Sequence, residues 1–374
     1  MKLQQLSSLI AASLIPVGHA QITIPSNGSD GPFSPVTDIE VDLTQAIPGT
    51  WSDDNTGANI GKGIYDKDQW AVVFEYSSVT IPEGVTVSFK NHPSNPPVIW
   101  LVSGEVTIDG VLSLEGESEF DSGLEALNPN NGGPGGFRGG PSGPEGRGRG
   151  LGPGGARTNG GDGVPVYRNG VFSYGNPQIV PLIGGSGGWG QPTGASVAGS
   201  GGGGGLLIAT PQNINLGGTI DCSGGDTHVN WSELRGSGGA IRLVANNVTG
   251  DGVLDCRGGY WARSGFEDEG YGEGGSLGRI RIETLDFSSE ITMVPETVAV
   301  LPAVPVLLFP PANAPSVAIV SIDGIAVSDD PRASLQATSD VAIQNNGPVK
   351  IVLETKNFPL EGVVQLRVGR EFGE

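Results

Sequence analysis

The sequence predicts an all-β chain: a parallel β-helix-like solenoid with a long glycine-rich insertion and a small C-terminal β-sandwich-like module. Three observations lead there. First, one pattern is written three times: VIWLVSGEVTIDGVLSLEG from Val98 to Gly116, LLIATPQNINLGGTIDCSG from Leu206 to Gly224, and AIRLVANNVTGDGVLDCRG from Ala240 to Gly258. A partial fourth copy, RIRIETLDF, runs from Arg279 to Phe287. Second, apolar residues alternate within each copy, as in Val106, Ile108, Leu112 and Leu114, which is the period of a strand with one buried face. Third, the two later copies align without a gap at an offset of 34 residues, and fixed spacing of strand units is the signature of stacked coils.

The chain has 374 residues, 64 of them glycine, with 37% hydrophobic residues and a formal net charge of −20. That supplies Val, Ile and Leu for a core made of strands. The acidity argues against nucleic acid and anionic membranes as partners.

Residues 1–20 read as a secretory signal peptide: Lys2, an apolar run from Leu6 to Val17, then small residues around a cut after Ala20. Secretion to the cell surface or the extracellular space is therefore expected. Residues 21–310 form the expected main domain. Its leader to Ser34 is rich in Ser, Gly and Pro. A strand follows at Val36 to Leu43, a polar loop at Thr50 to Lys62, and strands at Trp70 to Tyr76 and Val79 to Phe89, the latter divided by a Pro-Glu-Gly turn like that of the repeat. Gly110, Gly218 and Gly252 recur at one place in the repeat and mark a turn.

Glycine is densest between about 121 and 205, without a triplet period. The island VPVYRNGVFSYG has Asn169-Gly170 as a hairpin signal, so the region reads as an excursion packed on the flank of the coils. Residues 291–310 are apolar. Pro295, Pro302, Pro305 and Pro310 break them up, so they are expected to lie extended on the strands and not to span a membrane. Residues 311–315 read as a linker. Residues 316–374 carry SVAIVSI, VAIQ, VKIVLE and VVQLRV, the strands of the expected C-terminal module, whose last strand runs close to Glu374 and leaves completion by another segment open.

Few residues suggest chemistry. Asp221 and Asp255 hold equivalent repeat positions. Stacked, they pair two carboxylates that could act as acid and base with Arg257, ligate Ca²⁺, or cap their own turns. Cys222 and Cys256 follow them, and both a disulfide and two buried thiols stay open. Trp231, Tyr260, Trp261 and Tyr271 cluster in loops after the repeats, where aromatic faces could stack on sugar rings. Asp53, Asp54, Glu267, Asp268 and Glu269 are weak Ca²⁺ candidates in oxygen-rich loops without EF-hand spacing. No other cofactor is expected. Three histidines starve most His-based schemes, and the G-x-S-x-G of residues 184–188 has no strand–turn–helix context.

The phrases GGTIDCSGG, GSGGAIRLVANNVTGDGVLDCRGG and LGRIRIE, after a run of five glycines, resemble glycine-rich secreted bacterial proteins with β-helix-like repeats. The resemblance implies fold and secretion. That group has no assigned activity, so it implies no catalytic residue. The expected function is non-catalytic: adhesion, scaffolding or contact with extracellular glycans or surface proteins. The alternative is a polysaccharide lyase or glycoside hydrolase working through Asp221, Asp255 and Arg257.

Overall fold

A computed structural model describes residues 22–118, 130–142, 148, 150–153, 176–190, 197–227, 234–260, 275–287, 290–330, 341–344, 346–364 and 366. The expected signal peptide and the hairpin island at Val164 to Gly175 lie outside the described residues.

Strand β1 (Gly31–Phe33), β2 (Ile39–Asp42), β3 (Ile47–Pro48) and β4 (Ile64–Asp66) come from the leader and polar loop. The two strands expected from Trp70 to Phe89 are divided differently. An eleven-residue β5 (Ala71–Ile81) ends at the Pro82-Glu83-Gly84 turn, and β6 (Thr86–Lys90) follows. The first repeat copy gives β7 (Val98–Val102), β8 (Val106–Ile108) and β9 (Val111–Ser113). The second gives β10 (Gly205–Ala209), β11 (Asn213–Leu216) and β12 (Thr219–Asp221). The third gives β13 (Ala240–Gly250) and β14 (Val253–Asp255), and the partial copy is β15 (Arg279–Phe287). Then come β16 (Thr292–Val294), β17 (Ser316–Ile322), β18 (Ile325–Ala326) and β19 (Ile351–Lys356).

The pairing overturns the expected architecture. The strands do not make a parallel β-helix-like solenoid with a β-sandwich-like module. They form a ten-stranded sheet in which β5–β7–β10–β13–β11–β8 closes back on β5 through parallel pairings only. The closure comes from strand length: β5 pairs with both β7 and β8, and β13 with both β10 and β11. A separate six-stranded parallel sheet runs β16–β14–β12–β9–β6–β2. At the C-terminal end β18–β17–β19 is one antiparallel sheet. Among the described residues, 341–344 and 363–364 are not strands, so the segments expected to complete a sandwich do not do so.

Apolar alternation sets which side chains face inward. Trp100, Ile208, Leu243 and Ile282 sit in register across four strands of the large sheet. They share a core with Leu112, Ile220 and Leu254, in register across three strands of the second sheet. All of these are fully buried, each contributing about 1.5–3 kcal/mol. The opposite face of the large sheet carries Val73, Ile99 and Leu207. Ile22 and Ile24 cover it together with Ile179, Leu182 and a strap of Val306, Leu308 and Phe309. The apolar stretch before Pro310 thus lies along the strands, with Val300 bridging Glu283.

The described glycine-rich segments pack against one another and against the ends of the strands. Along the chain they connect strands of the second sheet to strands of the large one. Chain leaves β9, β12 and β14 through 114–118, 222–227 and 256–260, and enters β10, β13 and β15 through 197–204, 236–239 and 275–278. Residues 199–205 show how these segments pack. The N–H groups of Gly199, Gly202 and Gly205 donate to Gly140, Phe137 and Pro134. Those of Ser200 and Gly203 donate to Leu234 and Ser237, and those of Gly201 and Gly204 to Glu117 and Leu114. Partners therefore change with a period of three. That is the geometry of an extended helix with three residues per turn and no internal hydrogen bonds, here bonded to a different neighbour on each side.

Close packing explains the glycines. A Cβ on Gly201 would lie 1.7 Å from the Asn131 carbonyl oxygen, and one on Gly203 1.9 Å from that of Cys222. Collagen needs glycine at every third position because only one side of each chain faces its axis. A segment surrounded on several sides needs it nearly everywhere, so no triplet period appears. The recurrent Gly110, Gly218 and Gly252 obey the same constraint: a Cβ on Gly218 would reach 1.9 Å from the Gly110 carbonyl oxygen, and one on Gly252 2.3 Å from that of Gly218.

Candidate functional site

The second sheet positions the site. Asp221 ends β12 and Asp255 ends β14, directly paired across the two strands, with Ser113 of β9 next in the row. Neighbouring strands are about 4.8 Å apart, so the two carboxylates stand side by side. Each also caps its own turn. Asp221 Oδ1 accepts from the Ser223 N–H at 2.8 Å, and Asp255 Oδ1 from the Arg257 N–H at 2.9 Å. Asp255 Oδ2 holds the Arg257 guanidinium at 3.2 Å. That guanidinium lies over the Tyr260 ring, 5.1 Å from its centroid. Tyr260 is the exposed member of the group, at 47%.

A further carboxylate joins them that the sequence did not single out. Asp226 Oδ1 accepts from the Tyr260 N–H at 2.8 Å, and its own N–H donates to Ser118 Oγ at 2.9 Å. Its carbonyl accepts from Ser200 Oγ at 2.6 Å. Asp226 thus ties three successive glycine-rich segments together. The signal was in the repeat, since Asp226 and Tyr260 are equivalent positions 34 residues apart. A change of residue type at an aligned position hid it.

Burial governs the charges. It pushes the Asp226 carboxyl up to about 6, against the Tyr260 N–H bond and the pull of Arg257 and Arg235. It also raises Asp255, opposed by the hydrogen bond and charge of Arg257. Burial alone would lower Arg257, but the Asp255 carboxylate, with Tyr260, Asp221 and Asp226, holds it above its ordinary value. The sign for stability follows. Asp226 has a folded pKa above the ordinary carboxylate value, so the folded chain binds the extra proton. Its contribution is full below about pH 4 and is lost as pH rises through about 6. Asp226→Asn keeps the acceptor and removes the titration. Thermal melts from pH 4 to 7 should show the variant gaining on the wild type by roughly 1–2 kcal/mol across that window, discounting for partial exposure. A constant difference would show that Asp226 titrates normally.

The other expected residues fall elsewhere. Trp231, Trp261, Tyr271, Glu267, Asp268 and Glu269 lie outside the described residues. Asp53 accepts from the Thr50 N–H at 2.7 Å and Asp54 from Asn27 Nδ2 at 2.7 Å, so each is occupied in local turn and loop bonding. Among the described residues no group of three or more His, Cys, Asp or Glu could hold a metal ion. The Asp221–Asp255–Arg257 set does come together, as a row on a strand pair. Ser186 of the G-x-S-x-G stretch is fully buried within the glycine segments. Cys222 and Cys256 stand as two buried thiols in this structure, side by side on adjacent strands. No family model matches this chain, and neither does any curated protein or solved structure.

Proposed function

We propose that this chain is a secreted, non-catalytic contact protein of the cell surface or extracellular matrix, engaging extended glycans through the outward rows of its sheets. The carrying observation is that polar side chains stand in register on successive strands of the large sheet. Thr80, Thr107, Asn215 and Thr249 form one row. Asn213, Asn247 and Asp286 lie in another, with Glu105 beside Asn213. These rows are internally bonded: Asn213 Nδ2 donates to Glu105 at 3.2 Å, Asn247 Nδ2 to Asn213 at 2.7 Å, and Thr249 Oγ1 to Asn215 at 2.7 Å. On the second sheet the row Thr86, Val111, Thr219, Val253 and Thr292 alternates hydroxyl-bearing and apolar side chains.

Such a surface repeats hydroxyl, amide and methyl groups about every 4.8 Å. It suits a ligand that is itself extended and repetitive, gripped weakly at many points. Tyr260, half exposed and with the Arg257 guanidinium over its ring, supplies an aromatic group for stacking five residues beyond Asp255. The enzyme reading is favoured by one observation, the Asp226 carboxyl pushed up to about 6 by burial, within the field of Arg257 and Asp221.

A glycan-binding screen of residues 21–374, with and without Ca²⁺, tests both. The same polysaccharides are assayed for reducing ends and unsaturated products. Binding without turnover, weakened at least threefold by Tyr260→Ala, is the expected result. Turnover abolished by Asp255→Asn would replace the contact reading with the enzyme one.

A further inference from the structure

We propose that Cys222 and Cys256 are an intramolecular disulfide site that is filled while the chain folds and is closed to reagents afterwards. The two residues directly follow the paired Asp221 and Asp255 on adjacent parallel strands. The register continues through them, since the Cys222 N–H donates to the Asp255 carbonyl at 2.7 Å. Strands at about 4.8 Å place the two Cα atoms inside the 4.4–6.8 Å span of a disulfide. Both side chains belong to one buried core, so the two thiols are neighbours inside the protein. Cys256 Sγ in turn approaches the Arg279 carbonyl at 3.6 Å.

Access is the second half of the argument. Both residues are 0% exposed. Burial pushes the Cys222 thiol well up, and the neighbouring Cys256 adds to this. Disulfide exchange needs a thiolate that can reach the incoming sulfur. In the folded protein no external sulfur reaches either cysteine and the Cys222 thiol is held protonated, whereas in the unfolded chain both are open to attack. The chemistry is ordinary exchange with a small-molecule disulfide. One cysteine thiolate attacks it, forming a mixed disulfide and releasing one small thiolate. The second cysteine thiolate attacks the protein sulfur of that mixed disulfide and releases the other. The two cysteine sulfurs are oxidised, the small disulfide is reduced to two thiols, and the two protons go to the released thiolates.

The test uses the full chain and glutathione in an oxidised and reduced mixture. In one arm denatured, reduced protein is refolded in the mixture. In the other the folded, reduced protein is held in it for the same time. Both are then unfolded in iodoacetamide and weighed intact. The refolding arm should carry no alkylation and lack two hydrogens. The folded arm should carry two alkyl groups, with a closure rate at least a hundredfold lower. Native circular dichroism with two alkylatable thiols in the refolding arm would overturn the site. Equal closure in both arms would overturn the burial gate. Protein exported to an oxidising compartment gives a measurement free of in vitro refolding: no free thiols in denaturant is expected, and two would overturn the proposal.

Discussion

Gly201→Ala should be the most damaging glycine-to-alanine change among the described residues, costing about 4 kcal/mol or more and lowering soluble yield several-fold. The added Cβ would stand 1.7 Å from the Asn131 carbonyl oxygen and 2.4 Å from its carbon. Neither atom is the end of a flexible side chain, so relief requires moving a whole backbone segment. That segment is itself bonded on several sides. Gly201 donates to Glu117 and accepts from Gly225, while Gly202 beside it donates to Phe137 and accepts from Gly133. Moving one helix of the bundle therefore breaks bonds to others, and buried N–H and C=O groups left unpaired add their own cost. The control lies four residues away. Gly205→Ala meets nothing nearer than the Pro97 Cβ at 3.2 Å, a contact that a few tenths of an ångström relieve. It should stay within about 1 kcal/mol of the wild type. Melting curves of the two variants decide the matter: equal losses would mean that the glycine segments are not packed backbone to backbone.

The contrast also shows what could be read in the sequence. Apolar alternation gave the strands of the three copies, and the offset of 34 is the observed register, with Ile214 against Val248 and Ile220 against Leu254. These features are local or pairwise, and a period in residue type records them. The closed ring was not legible, because it depends on β5 and β13 running unbroken across positions that β7–β8 and β10–β11 interrupt. Nothing in the residue types of Tyr76 to Val79 distinguishes a continuous strand from two. The glycine bundle was illegible for a deeper reason. Its period of three lies in the identity of hydrogen-bond partners, while the residue type that permits it is glycine at almost every position. The site was half legible. Asp221, Asp255 and Arg257 followed from the repeat, and Asp226 did not, because its role is to hold the backbone of the tyrosine that replaces it in the next copy.

The second large effect concerns the outer face, where Glu283→Ala should cost about 3–5 kcal/mol. Glu283 and Arg242 pair at 2.8 Å with side chains 2% and 3% exposed. Arg281 adds its Nε to the same carboxylate oxygen at 2.7 Å. Burial lowers the Arg242 guanidinium and the Glu283 charge opposes that. Removing the carboxylate leaves two guanidinium groups facing each other in a poorly solvated place, which is the expensive way to break such a network. The loss should spread to the strap. Arg242 NH1 donates to the Leu307 carbonyl at 2.7 Å, and the strap seals the face through Val306, Leu308 and Phe309, the last against Trp51. Proteolysis near residues 300–310 should therefore accelerate in Glu283→Ala before global unfolding does. Replacing both partners separates charge from shape. Arg242→Met with Glu283→Leu removes the desolvation cost along with the attraction, and should recover most of the lost stability. The exposed Lys67–Asp329 pair is the counter-example, since Asp329→Asn should leave the denaturant midpoint unchanged. High salt sharpens the distinction, because screening weakens exposed pairs and reaches buried ones poorly. A Glu283→Ala midpoint within 1 kcal/mol of the wild type would show that the network is solvated and that the strap is held by its apolar side chains alone.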